Sequence, residues 1–372
     1  MSGAPDARQF DPKMRPAEGA DQSGLVWHEP DGPPFALAGF WWYRQDRRYR
    51  RLPVEPIAPL PASVDSLANC TAGGQVRFRT DSRRVAVRVH LAGPANMNHM
   101  PATGQCGFDL YVRPPGQVRY HNTTKYDHTR TEYQVELYNQ PEGGPHPFTL
   151  YFPLYQGVRQ VWVGLDAGAA VQPPEPWGLS APVVAYGTSI TQGACAARPG
   201  MAYTNLLSRA LDAQVINLGF SGSGQGEPEV ARVLAGIAPC ALFVLDYETN
   251  AQGTERYRQT LPEFVRILRE AQAETPILIV SRTRYASELV SAAARRDREE
   301  RLVLARDLVE RQRAGGDRHL HFCDGSGLLG DEDYEESTVD GVHPTDLGFH
   351  RMARHLEPVI REVLGLGRNG AR

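Results

Sequence analysis

The chain has 372 residues, of which 41% are hydrophobic and 22% charged, with a formal net charge of −3. This ordinary, nearly neutral composition gives no reason to expect nucleic acid or an anionic membrane as a partner. No stretch approaches the roughly 18 apolar residues of a membrane span, so we expect no membrane insertion. The length favours two domains over one.

The first 24 residues are polar and rich in Gly, Pro and Asp, which predicts an N-terminal arm over residues 1–24. They contain no apolar segment of the kind found in secretory signals. The five cysteines are scattered, odd in number and without CxxC pairs. This pattern favours free thiols in a reducing compartment over a disulfide framework, and we predict a cytoplasmic protein.

Residues 25–170 show the pattern of short antiparallel strands. Apolar and polar side chains alternate in the segments 76–79, 85–91, 133–137 and 161–165. Period-two alternation with frequent turn residues predicts antiparallel sheets that each bury one face, so we expect a jelly-roll-like β-sandwich. The proline-rich stretch 170–178 is typical of a connector, and we place a linker at 171–180 and a second domain at 181–372.

Two features of this first domain have more than one interpretation. Trp41, Trp42 and Tyr43 are followed by five arginines within residues 44–51. They are compatible with a platform for a sugar or an acidic ligand, but a solvated strand edge with buried tryptophans is the commoner arrangement. The loop 96–105, in which His99 lies between Asn98 and Met100, is expected to cover one end of a sheet and receives no role.

The second domain alternates short apolar strands with helices. The predicted strands are 183–185, 215–218, 241–245, 277–280 and 319–322; the predicted helices are near 202–211, 227–236, 261–273, 287–313 and 347–364. This alternation predicts an α/β fold with a five-stranded parallel sheet covered by helices on both faces, a three-layer αβα arrangement. Right-handed crossovers place the carboxyl ends of all five strands at one edge.

Polar residues follow these strands where an α/β sheet binds its ligands. Ser189 follows the first strand, Gly222 the second and Asn250 the third, and Asp340 and His343 precede the last helix. A serine nucleophile needs a base within hydrogen-bond reach, which His343 can supply while Asp340 orients its ring. The backbone N–H groups of Ser189 and Gly222 and the side chain of Asn250 are candidate oxyanion donors. This chemistry requires no metal and no organic cofactor.

Each part also has a purely structural interpretation. The Gly-Thr-Ser turn suits a helix N-cap, and Asn250 suits a turn. The glycine-rich loop around Gly222 resembles a phosphate loop but departs from GxGxxG. The spacing of His319, His321 and Cys323 resembles a metal site, although a buried strand end is the better interpretation because no fourth ligand is evident. The joint occurrence of the catalytic parts after successive strands favours the functional interpretation.

These motifs resemble the SGNH hydrolase (GDSL esterase/lipase) superfamily over residues 182–364. The similarity rests on GTSITQG with Ser189, NLGFSG with Gly222, YETN with Asn250, and DGVHP with Asp340 and His343. Thr188 stands where many members have Asp, and Glu248-Thr249-Asn250 replaces the usual Gly-x-Asn-Asp. The segment GFDLYV at 107–112 resembles the GxDLY signature of a β-rich domain that precedes some SGNH domains.

The resemblance implies a serine esterase that acts through an acyl-enzyme. The two-domain subgroup further implies short acetyl esters, with O-acetyl groups on a carbohydrate as the expected substrate and a small-molecule or oligosaccharide ester as the expected partner. The alternatives are a lipase, thioesterase or acyltransferase, or a carbohydrate-binding protein with a vestigial hydrolase domain. The sequence leaves a homo-oligomer open.

Overall fold

The structure is a computed structural model that describes residues 6–17, 23–113, 118–142 and 144–367. Residues 1–5 and 18–22 of the predicted arm lie outside this part. In the described part of the arm, Asp6 and Asp11 cap two 3₁₀ turns, Ala7–Gln9 and Pro12–Met14. The backbone N–H of Ala17 donates to the carbonyl of Lys125 at 2.8 Å. The arm is therefore laid against the N-terminal half.

Two antiparallel sheets make up the N-terminal half. Its strands are β1 (Leu25–His28), β2 (Ala36–Ala38), β3 (Gln75–Thr80), β4 (Arg84–Leu91), β5 (Asp109–Val112), β6 (Arg119–Thr123), β7 (Glu132–Asn139), β8 (His146–Tyr151), β9 (Val158–Asp166) and β10 (Val171–Gln172). Three short helices interrupt them: α1 (Tyr43–Asp46), α2 (Ala62–Leu67) and α3 (Ala102–Cys106). One sheet has the order β1-β9-β4-β7; the other has the order β10-β3-β8-β5-β6, with β2 paired to β3.

The alternation of side chains along each strand builds the core of this β-sandwich. Val76 and Phe78 of β3 and Val85, Val87 and Val89 of β4 belong to one buried cluster, although the two strands lie in different sheets. Because successive side chains of a strand point to opposite faces, these residues meet between the sheets. The predicted β-sandwich is confirmed.

The C-terminal half is built on a five-stranded parallel sheet. Its strands are β11 (Leu179–Gly187), β12 (Ala213–Gly219), β13 (Leu242–Asp246), β14 (Ile277–Val280) and β15 (Leu320–Cys323). Its helices are α4 (Ser189–Gln192), α5 (Tyr203–Leu211), α6 (Pro228–Ala235), α7 (Thr254–Ala271), α8 (Ala292–Ala314) and α9 (Asp346–Val363). The strand order is β12-β11-β13-β14-β15, so the first strand in sequence lies between the second and the third.

Helices cover both faces of this sheet. Val184 and Tyr186 of β11 pack in a cluster with residues of α6, α7 and α8. Val183 and Ala185 of the same strand pack in a second cluster with residues of α5 and α9. A strand buried on both faces reads as a continuous apolar run, which is why this sheet was predictable. The three-layer αβα fold is confirmed, whereas the domain boundaries at 170 and 181 stay a prediction.

Two local predictions were wrong. Helix α7 begins at Thr254 rather than near residue 261, because its first turns are polar apart from the buried Tyr257 and show no apolar stripe. The segment 41–51 is not a strand edge: it forms α1 and a loop that ends in the fully buried Arg51. Trp41 and Trp42 pack, partly buried, against the core of the C-terminal half.

Arg51 joins the two halves of the chain. Its guanidinium donates to the carbonyls of Leu67 and Cys70 in the N-terminal half and to those of Asn217 and Gly219 in β12. It also lies 4.8 Å from the centroid of the Phe220 ring. Burial lowers the pKa of Arg51 to about 10. The planar guanidinium spreads five N–H donors over a rigid fork, whereas an ammonium group has three donors on a single nitrogen, so arginine suits four carbonyls on separate segments better.

The carboxylate of Asp246 is a second polar group with a structural role. It lies at the edge of the parallel sheet from which the loops of the site emerge. The Asp246 carboxylate, at the end of β13, accepts hydrogen bonds from Tyr203 Oη at 2.8 Å and from Thr191 Oγ1 at 3.2 Å. Burial raises the pKa of Asp246 to about 7, although these two hydrogen bonds partly counter the effect. The folded chain therefore retains a proton on this carboxyl at pH values where the unfolded chain has lost it.

None of the helices in the described part of the chain is both long and apolar enough to span a membrane. All five cysteines are unpaired, as their spacing predicted.

We expect Arg51→Lys to lower the free energy of unfolding by about 3 kcal/mol, because it leaves buried carbonyls without donors. The matched control is Arg48→Lys in the same segment. Arg48 is exposed, so that exchange should change stability by less than about 0.5 kcal/mol. Denaturant unfolding monitored by circular dichroism measures both. Equal effects of the two exchanges would contradict the structural role of Arg51.

We expect Asp246→Asn to change how stability depends on pH. In the wild type the unfolded Asp246 ionises above its ordinary pKa of 3.8, while the folded carboxyl stays protonated up to about 7. The wild type should therefore lose up to about 4 kcal/mol relative to the variant as the pH rises through this window. Denaturant unfolding of both proteins at several pH values between 4 and 8 measures the difference. A difference that is constant with pH would show that Asp246 titrates normally.

Candidate active site

Ser189 is the first residue of the short helix α4, immediately after β11. Thr188 caps this helix: its side chain accepts a hydrogen bond from the N–H of Ile190 at 3.2 Å, and Thr191 Oγ1 accepts one from the N–H of Thr188 at 3.2 Å. Such a reciprocal capping box fixes the turn. Only 5% of the Ser189 surface is exposed. The turn is thus a helix cap formed by Thr188, and the candidate nucleophile Ser189 is the residue that follows the cap.

Ser189, His343 and Asp340 form a continuous chain of hydrogen bonds. Ser189 Oγ lies 2.9 Å from His343 Nε2, and His343 Nδ1 lies 2.7 Å from Asp340 Oδ2. Since an ionised carboxylate only accepts hydrogen bonds, Nδ1 must carry the ring proton, and Nε2 is left to accept the hydroxyl proton of Ser189. The structure therefore brings together three residues that are up to 154 positions apart in sequence.

The local turn keeps Asp340 ionised and in place. Burial alone would raise the pKa of this carboxyl, but hydrogen bonds from the backbone N–H and the ring of His343 outweigh burial and lower the pKa below its ordinary value. Asp340 Oδ1 accepts the N–H groups of Val342 at 3.1 Å and His343 at 2.8 Å. Asp340 thus organises the turn that carries His343 as well as orienting the ring.

The three predicted oxyanion donors follow neighbouring strands. Ser189 follows β11, Gly222 follows β12 and Asn250 follows β13. Within the described residues, the backbone N–H groups of Ser189 and Gly222 donate no hydrogen bond. Asn250 Nδ2 donates to the carbonyl of Phe220 at 3.1 Å, and its second N–H remains available. Unpaired donors at the end of a sheet are the requirement for stabilising a developing oxyanion.

The loop that carries Gly222 is held from two sides. Gln192 Oε1 accepts the N–H of Ser221 at 3.1 Å, and the carbonyl of Phe220 accepts the N–H groups of Ser223 and Gly224. Gly222 itself has φ of 64° and is exposed. A residue with a Cβ adopts this conformation only with backbone strain, which favours glycine at this position.

The turn that carries Asn250 is supported by buried charges. Glu248 replaces the glycine that is usual in this motif; its carboxylate accepts the N–H of Arg282 at 3.0 Å. Burial raises the pKa of Glu248 to about 7, which Arg282 and Arg301 partly counter. Arg301 donates to the carbonyls of Glu248 at 3.2 Å and Ala251 at 3.1 Å. The departure from the family pattern therefore leaves the Asn250 turn well anchored.

The N-terminal half holds a second loop of the site, residues 193–201. Asp109 of the GxDLY segment is fully buried and accepts hydrogen bonds from Arg198 Nη1 and from the N–H of Gly200, both at 2.8 Å. Thr103 Oγ1 donates to the carbonyl of Ala197 at 2.6 Å. The signature aspartate thus anchors the chain that follows the α4 turn, a role that sequence reasoning did not assign.

His99 is the residue near the site that sequence reasoning missed. It belongs to the loop 92–101 of the N-terminal half, and its ring centroid lies 6.2 Å from that of His343. The alternation of polar and methionine side chains gave no signal of this proximity. Cys195 also lies here: in the described part of the chain, His99, Cys195 and His343 form the one cluster of potential metal ligands.

The other candidate metal spacing does not form a cluster. His319 precedes β15 and is exposed, whereas His321 and Cys323 lie within that strand. The strand-end interpretation is therefore the better one for His321 and Cys323, while His319 is a surface residue.

Comparisons with known proteins match a family to each half of the chain. The family described as GDSL-like Lipase/Acylhydrolase matches residues 180–361, and the family described as the N-terminus of Esterase_SGNH_hydro-type, GxDLY, matches residues 25–171. A comparison with curated proteins found no match.

Solved structures resemble the chain over nearly its whole length. A putative GDSL-like lipase from Bacteroides ovatus has 28% identity and a TM-score of 0.84, covering 92% of this chain and 99% of the other. The salicylyl-acyltransferase SsfX3 from a tetracycline biosynthetic pathway has 23% identity and a TM-score of 0.73, covering 93% and 99%. A family two carbohydrate esterase from Cellvibrio japonicus shares the fold, with 15% identity and a TM-score of 0.59, covering 92% and 98%.

Both halves of the chain are accounted for by these matches, and the five-stranded parallel sheet is the one expected of SGNH hydrolases. Residues 180–361 belong to the GDSL-like lipase/acylhydrolase family, and residues 25–171 are the GxDLY-type N-terminal domain of SGNH-hydrolase-type esterases.

Proposed function

We propose that this protein is a serine esterase that hydrolyses short-chain esters through a covalent acyl-enzyme. The observation that carries the proposal is the continuous hydrogen-bond chain from Ser189 Oγ through the His343 ring to Asp340. A free serine hydroxyl is a weak nucleophile, and a histidine at 2.9 Å with its second nitrogen fixed by a carboxylate is the arrangement that activates it.

In the first half of the reaction, Ser189 Oγ attacks the ester carbonyl while His343 Nε2 takes its proton. The tetrahedral intermediate places a negative charge on the former carbonyl oxygen. The N–H groups of Ser189 and Gly222 and the free N–H of Asn250 Nδ2 are the donors proposed for that oxygen. Asp340 stays ionised and stabilises the imidazolium, and its lowered pKa suits this role.

Collapse of the intermediate releases the alcohol, which receives its proton from His343. A water molecule then enters, loses a proton to His343 Nε2 and attacks the acyl-enzyme. Release of the carboxylic acid restores the Ser189 hydroxyl. Every proton transfer in both halves of the reaction uses His343 Nε2. The other ring nitrogen, Nδ1, therefore keeps its own proton, which it donates to Asp340.

The proposed substrate is an O-acetyl ester of a carbohydrate. Gly222 is exposed, and a Cβ added to it would meet no atom within 4 Å, so the site is open beside this donor. An open rim suits a large polar alcohol better than a long acyl chain. Family two carbohydrate esterases share the fold of this chain, which supports the proposal without identifying the sugar. The absence of nucleic-acid and membrane partners and a cytoplasmic location stay predictions.

We expect Ser189→Ala to lower kcat for p-nitrophenyl acetate by several orders of magnitude, because the variant lacks the nucleophile. Ser223→Ala in the neighbouring loop is the control; its hydroxyl makes no hydrogen bond in the described residues, so its rate should be close to wild type. The wild type should be fastest on acetate, slower on butyrate and slowest on octanoate.

An inert wild type, or a Ser189→Ala variant that keeps its rate, would contradict the proposal and favour a carbohydrate-binding protein with a vestigial hydrolase domain. A preference for octanoate would favour a lipase.

Acyl transfer to an alcohol is the second candidate function. It is favoured by the salicylyl-acyltransferase, whose structure resembles this chain with a TM-score of 0.73. Hydrolysis and transfer share the acyl-enzyme and differ in what deacylates it, water or an acceptor hydroxyl.

We expect water to be the main acceptor, since the exposed Gly222 leaves the site open to solvent. The measurement is the ratio of acetate to acetylated product when p-nitrophenyl acetate is supplied with methanol, glucose or xylose as acceptor. A ratio that stays high at increasing acceptor concentration confirms a hydrolase. Product ester that exceeds free acetate would identify a transferase.

A further inference from the structure

Three side chains with metal-binding atoms meet at the edge of the site, and the proposed esterase reaction uses only one of them. One donor atom each from His99, Cys195 and His343 lies within 4.8 Å of the other two. The three residues come from separate segments: the loop after β4, the chain after α4 and the turn before α9. Two imidazoles and a thiol form a set that binds zinc and related soft divalent cations.

The distances are close to those that a tetrahedral ion needs. Bonds of about 2.1 Å to nitrogen and 2.3 Å to sulfur place neighbouring ligand atoms about 3.5 Å apart. The present separations of up to 4.8 Å require a shift of about 1 Å, which side-chain rotation can supply. His99 is exposed, and its ring donates one hydrogen bond, from Nδ1 to Oδ1 of the adjacent Asn98 at 3.2 Å. Turning toward the other two ligands costs only this exposed hydrogen bond. A water molecule would complete the coordination.

The backbone around two of the ligands is fixed in advance. Gln105 Oε1 accepts the N–H groups of Asn96 and Met97, both at 2.9 Å, and its Nε2 donates to the carbonyl of Met100 at 2.6 Å. The loop that carries His99 therefore wraps around the side chain of Gln105, which holds the backbone of the loop. Cys195 is buried and has φ of 71°, a conformation that is uncommon for a residue with a Cβ.

The charge of the surroundings suits a cation. Asp340 is hydrogen-bonded to His343 and carries a negative charge beside the cluster. When a divalent ion binds, the Cys195 thiol releases its proton to solvent and the thiolate forms the metal–sulfur bond. The thiolate and the Asp340 carboxylate together then balance the two positive charges of the ion.

We propose that His99, Cys195 and His343 form an inhibitory site for Zn²⁺ or a similar soft divalent cation. Both ring nitrogens of His343 are engaged, one with Ser189 and the other with Asp340. A metal bound to either nitrogen replaces one of these hydrogen bonds and removes the base or its support. The inhibition rests on the proposed esterase function; binding of the metal does not.

Binding is tested with Cd²⁺, whose bond to a thiolate gives an ultraviolet charge-transfer absorption. We expect the wild type to bind one equivalent with this signal, and Cys195→Ser to lose the signal. Cys70→Ser is the matched control, because Cys70 is more exposed than Cys195 and would be the first target of a nonspecific reaction with thiols. A signal that survives in Cys195→Ser, or that disappears in Cys70→Ser, would overturn the site.

Inhibition is tested with Zn²⁺ and p-nitrophenyl acetate. We expect His99→Ala, a surface exchange that should not impair folding, to raise the Zn²⁺ concentration for half-inhibition at least tenfold, and excess EDTA to restore wild-type activity. Equal inhibition of His99→Ala and wild type would overturn the assignment of His99. If the wild type binds Cd²⁺ at Cys195 but has no esterase activity, the proposed function fails while the metal site stands.

Discussion

The parallel pairing of β11 with β12 on one side and β13 on the other is the constraint on which the site depends. In the register of these strands, Gly187 lies opposite both Gly219 and Asp246, so all three strands end at the same level. The loops that follow them must therefore emerge side by side. Gly219 is required here, because a Cβ on it would collide with the backbone N of Gln192 in α4. The backbone pairing of the strands thus determines which loops, and therefore which residues, lie side by side.

The β-sandwich comes before the C-terminal half in sequence, and it also contacts and supports the loops of the site. Arg51 holds the end of β12 from the N-terminal half, and Asp109 holds Arg198 and Gly200 in the loop 193–201. Both side chains are fully buried. Buried polar groups are costly unless they are satisfied, so such contacts specify one arrangement of the two halves. The GxDLY aspartate therefore has a physical reason to accompany this catalytic fold.

The departures from the family motif are compensated locally. Thr188 caps α4 with its side-chain oxygen, as an aspartate at the same position would do. Glu248 removes the flexibility of a glycine, and Arg282 and Arg301 hold the turn that it begins. In both cases the side chain at the changed position accepts a backbone N–H group and so fixes the turn that carries a candidate site residue.

Sequence alone was sufficient to predict the two fold classes and the candidate site, because both depend on patterns within short segments. Strands buried on two faces show apolar runs, half-buried strands show alternation, and Ser189, Gly222, Asn250, Asp340 and His343 each stand beside such a segment or a helix start. Tertiary structure decided what depends on distant segments: the 2.9 Å contact of Ser189 with His343, the burial of Arg51 and the approach of His99. An exposed loop histidine and a buried arginine have no periodicity, and the residues that they meet in the C-terminal half lie more than 90 positions away. Only the folded chain brings them together.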